Sequence, residues 1–75
     1  MSWNHRVIKK VDPDVYYEIH EVYYDEDGVI NGWTQDAITP YGMDLEDLKL
    51  DLTHLLSALD KPILELVDGK LMEIK

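Results

Sequence analysis

The sequence predicts an α+β fold: a three-stranded antiparallel meander with one helix packed on a face (β-β-β-α), followed by a C-terminal strand or hairpin. Two observations predict it, an aromatic β-hairpin from Tyr16 to Trp33 and a capped leucine helix from Asp44 to Leu59. With 75 residues, the chain is expected to form a single domain, residues 1–75. Its core is expected in residues 1–61 and its C-terminal extension in residues 62–75.

The first two strands follow from the alternation of side chains. Residues Trp3 to Val11 alternate between two faces, which is the period of a half-buried strand. Pro13 then interrupts the pattern, because it lacks the N–H that a strand donates. A second strand follows from Val15 to Tyr24, and we expect it to be central because both of its faces carry apolar residues. The faces of the first strand are Trp3, His5, Val7 and Val11 on one side and Asn4, Arg6, Ile8 and Lys10 on the other.

A tight turn and a third strand complete the meander. Asp25 opens a type I turn, and Gly28 closes it with a positive φ. The third strand is predicted from Val29 to about Ile38, and it returns antiparallel to the second.

The register of this hairpin is open in the sequence, because the loop can be three or four residues long. A three-residue loop pairs Glu21 with Trp33 and Tyr24 with Ile30. A four-residue loop pairs His20 with Trp33 instead, since one residue of slip changes every partner.

The helix has the clearest start signal in the chain. Asp44 is the expected N-cap, and Pro62 forces an end near residue 60. The leucines recur at spacings of three and four, which predicts one apolar face directed at the core, with Leu52 near its centre. Leu50 lies off this stripe and is exposed unless a partner covers it. The stripe comprises Leu45, Leu48, Leu52, Leu55 and Leu59, widened by Leu56.

Two short apolar runs after the helix flank Asp68-Gly69, which is a strong hairpin signal. An isolated hairpin is barely stable in water, so these strands must pack on the body, extend the sheet or pair with another chain. The alternative is a frayed terminal tail.

Composition limits the classes of function. The chain carries 16 acidic against seven basic residues, a formal net charge of −9, and this acidic body disfavours nucleic acid as a partner. The basic residues up to Val11 stand apart from that body. There is no Cys, so neither a disulfide nor a cysteine-based zinc site is expected. The start lacks the apolar stretch of a secretory signal and no run could span a bilayer, so we expect a cytoplasmic protein with no membrane partner.

Candidate chemistry is sparse. His5, His20 and His54 occur singly on different elements, and none forms a short-spaced metal pair. His20 and Glu21 are neighbours on a strand, so their side chains point to opposite faces and cannot hold one reacting atom together. We therefore expect no catalytic, cofactor-binding or metal residue, and no enzyme. The alternatives are a small ligand-binding protein or enzyme that uses His20 and nearby tyrosines, and an acidic mimic of nucleic acid.

The sequence instead favours a protein-interaction module that forms a homodimer, because so small a domain has a marginal core. The C-terminal segment is the first candidate for the interface, and the strand from Trp3 to Val11 is the second. The basic first strand beside an acidic body offers charge complementarity between two copies. The predicted interaction residues are Leu50, Ile63, Leu64, Leu66, Leu71, Met72 and Ile74.

Three segments carry a resemblance to a family of short, uncharacterised bacterial proteins, over Ser2 to about Leu64. They are Ser2-Trp3-Asn4-His5-Arg6-Val7-Ile8, Tyr16-Tyr17-Glu18-Ile19-His20-Glu21-Val22-Tyr23-Tyr24-Asp25-Glu26-Asp27-Gly28, and Pro40-Tyr41-Gly42 before Leu45-Glu46-Asp47-Leu48. More remotely, the order of the elements, in which a hairpin is followed by Gly42 and then by the helix, resembles that of the HicB-type antitoxin domain. That resemblance implies a small β-sheet with one helix, oligomerisation and a toxin partner. The segment Asp36–Gly42 replaces the Pro-x-x-Pro-Gly-Cys-like segment usual before the HicB helix.

Overall fold

The computed structural model describes residues 2–74, which form an α+β fold with one helix and a mixed five-stranded sheet. The strand order is β3-β2-β1-β4-β5. The sheet is curled, so that its two edge strands, β3 and β5, line the same cleft. In chain order the elements are β1 (Ser2–Lys10), β2 (Tyr16–Tyr24), β3 (Ile30–Trp33), α1 (Leu45–Leu56), a 3₁₀ turn (Ser57–Asp60), β4 (Leu64–Val67) and β5 (Lys70–Glu73).

The predicted antiparallel meander is confirmed, with β2 between β1 and β3. β1 and β2 pair along their whole length, from Ser2 opposite Tyr24 to Lys10 opposite Tyr16. β3 is shorter than predicted and ends at Trp33, because the chain bends at residues 35–36 and the regular ladder with β2 stops there.

The register of the β2–β3 hairpin begins as the three-residue loop predicts and is then shifted by a bulge, which neither predicted register contains. Tyr24 lies opposite Ile30, as a three-residue loop requires, but Val22 rather than Glu21 lies opposite Trp33. One extra residue of β3 is accommodated between these two pairs, and a bulge of this kind increases the local twist.

Gly28 has φ 78°, as the turn requires. We expect Gly28→Val to destabilise the protein by at least about 1 kcal/mol, because a β-branched residue is strained at positive φ. Gly28→Asn is the control and should be tolerated, since a Cβ at this position meets no atom within 4 Å and asparagine adopts positive φ more readily. Thermal unfolding distinguishes the two, and a valine variant that melts with the wild type would contradict the bulged turn.

The C-terminal segment forms an ordered hairpin that extends the sheet. Asp68 (φ 52°) and Gly69 (φ 80°) form the turn, and β4 and β5 pair antiparallel around it. β4 joins the meander by parallel pairing with β1, in which Ile8 lies opposite Leu64. The prediction of a three-stranded sheet is therefore corrected to five strands with one parallel pair.

The core lies on the inner, concave face of the curled sheet, where Ile8, Val22, Leu64 and Leu71 form one buried cluster. Three partly buried residues pack against this cluster: Tyr24, Ile30 and Trp33. On the outer face, Val7 of β1 is buried, and the 3₁₀ turn with its buried Ala58 lies next to β1.

Helix α1 begins as predicted, because the Asp44 side chain accepts a hydrogen bond from the Asp47 N–H at 2.8 Å. Gly42 is needed just before this cap, since a Cβ there would lie 2.7 Å from the Leu48 Cα. At Gly42 the backbone therefore passes close against the first turn of α1. At its other end the α-helix stops at Leu56, and the chain continues as the 3₁₀ turn rather than as α-helix to Leu59.

Candidate functional site

The helix buries only one of its residues against the rest of the described chain and leaves most of its leucine face exposed. Leu55 is the buried residue of α1 and Leu48 is half-buried. Leu52 was predicted to lie at the core but is 47% exposed. The other three stripe residues, Leu45, Leu56 and Leu59, are 78%, 62% and 65% exposed. An amphipathic helix normally packs such a stripe against the core. Here most of the stripe has no packing partner within residues 2–74.

Beside this face lies a groove of about 440 Å³, which we call the helix groove. One wall is formed by leucines of α1 and the 3₁₀ turn, and the other by β2 and the segment before the helix. Its lining is almost wholly apolar, with a single charged side chain, that of Glu18. The lining residues are Tyr17, Glu18, Ile19, Ala37, Ile38, Pro40, Leu52, Leu55, Leu56 and Leu59.

The groove exists because β3 is too short to follow β2 to its beginning. Beyond Trp33 the chain stays beside β2 through two hydrogen bonds, from the Thr34 N–H to the Glu21 carbonyl at 3.0 Å and from the Ile38 N–H to the Ile19 carbonyl at 2.8 Å. It then crosses to the helix, where the Tyr41 N–H donates to Asp51 Oδ2 at 2.8 Å. The first residues of β2 therefore lie at the rim of the groove.

The molecule has more surface than a closed monomer of its mass. Its accessible surface is 5747 Å², whereas a folded monomer of this mass is expected to expose about 4,800 Å². Its radius of gyration is 13.1 Å, against about 11 Å for a compact domain of this length. The excess is roughly 900 Å², which is close to the area that one partner buries in a standard protein–protein interface.

A second feature is a pair of buried polar residues that lie opposite each other on β1 and β2. Arg6 is 5% exposed and its cross-strand partner His20 is 0% exposed. Arg6 Nη2 donates to the Pro62 carbonyl at 2.7 Å and approaches Glu73 Oε1 at 3.4 Å, while Nη1 donates to the Tyr24 hydroxyl at 2.9 Å. One side chain thus joins the meander to the C-terminal hairpin.

His20 is held by the chain that follows β3. Its Nδ1 lies 2.9 Å from the Thr34 carbonyl, so this nitrogen carries the proton and donates. Its Nε2 lies 3.8 Å from Glu18 Oε1 and, like Arg6 Nε, is buried without a hydrogen-bond partner among residues 2–74. The His20 imidazole is therefore enclosed by the chain, and solvent does not reach it.

Other titratable groups are distributed along the surface. The hydrogen bond that the Tyr23 hydroxyl donates to Glu21, at 2.9 Å, raises the pKa of Tyr23 above its usual value of 10.0. Within the described part of the chain, no three His, Asp or Glu residues cluster in a way that could hold a metal ion. The described part of the chain, residues 2–74, contains no helix with the length and hydrophobicity of a membrane span.

The residues predicted to form an interface are divided between surface and core. Leu50, Leu66 and Met72 are exposed, and Ile63 and Ile74 are half-buried. The remaining two, Leu64 and Leu71, lie in the core of the chain's own fold and are not available on its surface.

The exposed part of the leucine stripe was not among the predicted interaction residues. The sequence does contain a sign of this exposed face, because six leucines make the stripe wide for a helix in so small a domain. That width does not reveal which leucines the chain's own sheet covers.

Comparisons of the chain with protein-family models, with curated proteins and with solved structures gave no match.

Proposed function

We propose that the protein is a protein-interaction module that acts as a homodimer. The observation that carries the proposal is the exposed leucine face of α1, in a molecule whose surface exceeds that of a closed monomer by roughly 900 Å². Covering this surface removes apolar area from water, which is the main driving force of association. A second copy of the chain is present wherever the protein is made, and closed two-fold dimers are the commonest assemblies of soluble proteins.

The sharpest form of the proposal is a HicB-like regulatory role, in which the dimer binds and restrains a second protein. The resemblance in the order of hairpin and helix supports this form. The acidic surface supports it too, because a net charge of −9 attracts a basic partner and speeds its association.

Sedimentation equilibrium of the full chain tests the homodimer. At micromolar concentration we expect the average mass to rise from the 8.8 kDa of one chain toward twice that value. Added salt should strengthen the dimer, because two acidic subunits repel each other and salt screens that repulsion. A chain that stays monomeric at every concentration and salt level contradicts the proposal.

A further inference from the structure

We infer that the dimer forms through α1, with the helix of a second copy lying antiparallel against it so that the exposed leucines of each copy enter the helix groove of the other. This inference rests on the proposed homodimer and names its surface.

The helix face is complementary to itself. Leu45, Leu52 and Leu56 of α1 follow one another at spacings of seven and four residues, so they form one exposed ridge along the helix. The same face that provides this ridge borders the helix groove, whose near wall contains Leu52 and Leu56. A two-fold interface requires ridge and groove on one surface, because each copy must supply what the other receives.

The distribution of charge favours the antiparallel orientation. Glu46 and Asp47 lie in the first turn of α1, while its last turn carries His54 and the charges of Asp60 and Lys61 beyond it offset each other. Antiparallel helices keep the two acidic ends apart, and their dipoles attract. Parallel helices would instead place the two acidic ends together.

The excess accessible surface of the chain is about as large as one side of a standard protein–protein interface. A standard interface buries about 800 Å² on each partner, close to the roughly 900 Å² by which this chain exceeds a closed monomer. Of the elements in residues 2–74, α1 carries the most exposed large apolar side chains.

The C-terminal hairpin and the first strand are weaker candidates for the dimer interface. Leu64 and Leu71 of the hairpin are already buried within the chain. In the first strand, Arg6 is buried and Lys10 lies 3.6 Å from Glu18 of the same copy, so two of its three side chains Arg6, Lys9 and Lys10 are engaged within the copy.

The first test compares aspartate substitutions at three exposed leucines. Leu56→Asp should weaken the dimer at least about 100-fold, because it places an unpaired charge within an apolar interface. Leu50→Asp, on the opposite side of the same helix, and Leu66→Asp, on the hairpin, should stay within about threefold of the wild type. All three side chains are more than half exposed, so the monomer should keep its circular dichroism spectrum.

The outcomes separate the inference from the proposed homodimer. If Leu56→Asp dimerises like the wild type while Leu66→Asp is monomeric, the interface lies on the hairpin; the inference fails and the homodimer stands. If Leu50→Asp alone is monomeric, the contact lies on the other side of α1, and the inference fails in the same way. A wild-type chain that never dimerises removes both.

The second test uses the absence of cysteine from the sequence, so that single cysteines report on proximity. In the antiparallel arrangement Leu52 lies near the two-fold axis, and Leu52→Cys should form a disulfide-linked dimer under mild oxidation. A mixture of Leu45→Cys and Leu59→Cys should cross-link one variant to the other. Self-linking of each variant instead would show parallel helices, and cross-linking of Leu50→Cys in preference to Leu52→Cys would place the axis elsewhere; either result overturns the inference.

Discussion

Leu64→Ala should lower the free energy of unfolding by about 2–5 kcal/mol, the usual cost of removing most of a buried leucine side chain. Leu64 is 0% exposed and belongs to the core cluster with Ile8, Val22 and Leu71. It also lies opposite Ile8 in the parallel pairing that attaches the hairpin to the meander. A loss of this size is a large fraction of the stability of so small a domain, so chemical denaturation should shift to much lower denaturant.

Leu66→Ala is the matched control on the same strand. Leu66 is exposed, and its replacement should change the free energy of unfolding by no more than about 0.5 kcal/mol. Equal midpoints for the two variants would show that the hairpin is not part of the core. Because Leu64 is buried inside one copy, its variant should also lose stability at concentrations where the chain is monomeric.

Features set by local chemistry could be predicted from the sequence. Asp44 caps the helix because a short carboxylate can reach the free N–H groups of the first turn. Gly28 and the Asp68-Gly69 pair mark turns because positive φ is costly for most other residues. Each of these signals lies within a few residues of the structure it produces.

Features that depend on distant parts of the chain could not be predicted in the same way. The parallel pairing of β1 with β4 joins Ile8 to Leu64, and nothing near either residue indicates the other. The bulge in β3 likewise depends on how Trp33 packs against the core, and turn length alone does not determine it. Such pairings are chosen by the packing of the whole sheet.

The helix illustrates a related limit. Its leucine spacing predicts an apolar face, and that face exists, but periodicity does not say what covers it. Leu55 is covered by the chain's own fold, whereas Leu52, one turn away on the same stripe, is half exposed. The candidate interface was therefore present in the sequence as a pattern and became a surface only when the position of the sheet was known.

Arg6 is a charged residue whose burial could not be predicted from the composition of its segment. It belongs to a basic segment, which suggests a solvated side chain available to a partner. Strand alternation places it on the same face as Ile8, and the curl of the sheet then buries it. Its guanidinium is retained there because its donors reach the Pro62 carbonyl and the Tyr24 hydroxyl.

Arg6→Ala should therefore cost about 2–4 kcal/mol in the free energy of unfolding, because two acceptors lose their donor and the packing of a long side chain is lost. The carboxylate of Glu73 contributes little to this figure, since its side chain is 60% exposed and it lies 3.4 Å away. Amide hydrogen exchange should quicken most in β4 and β5, which Arg6 connects to the meander.

Two further variants isolate the role of the Arg6 guanidinium. Arg6→Lys keeps the positive charge but lacks the fork of donors, so it should recover less than half of the lost stability. Lys9→Ala, on the opposite face of the same strand, has no ion pair among the described residues and should stay within about 0.5 kcal/mol of the wild type. If Arg6→Lys restores full stability, charge alone holds the hairpin, and the hydrogen bonds to Pro62 and Tyr24 do not.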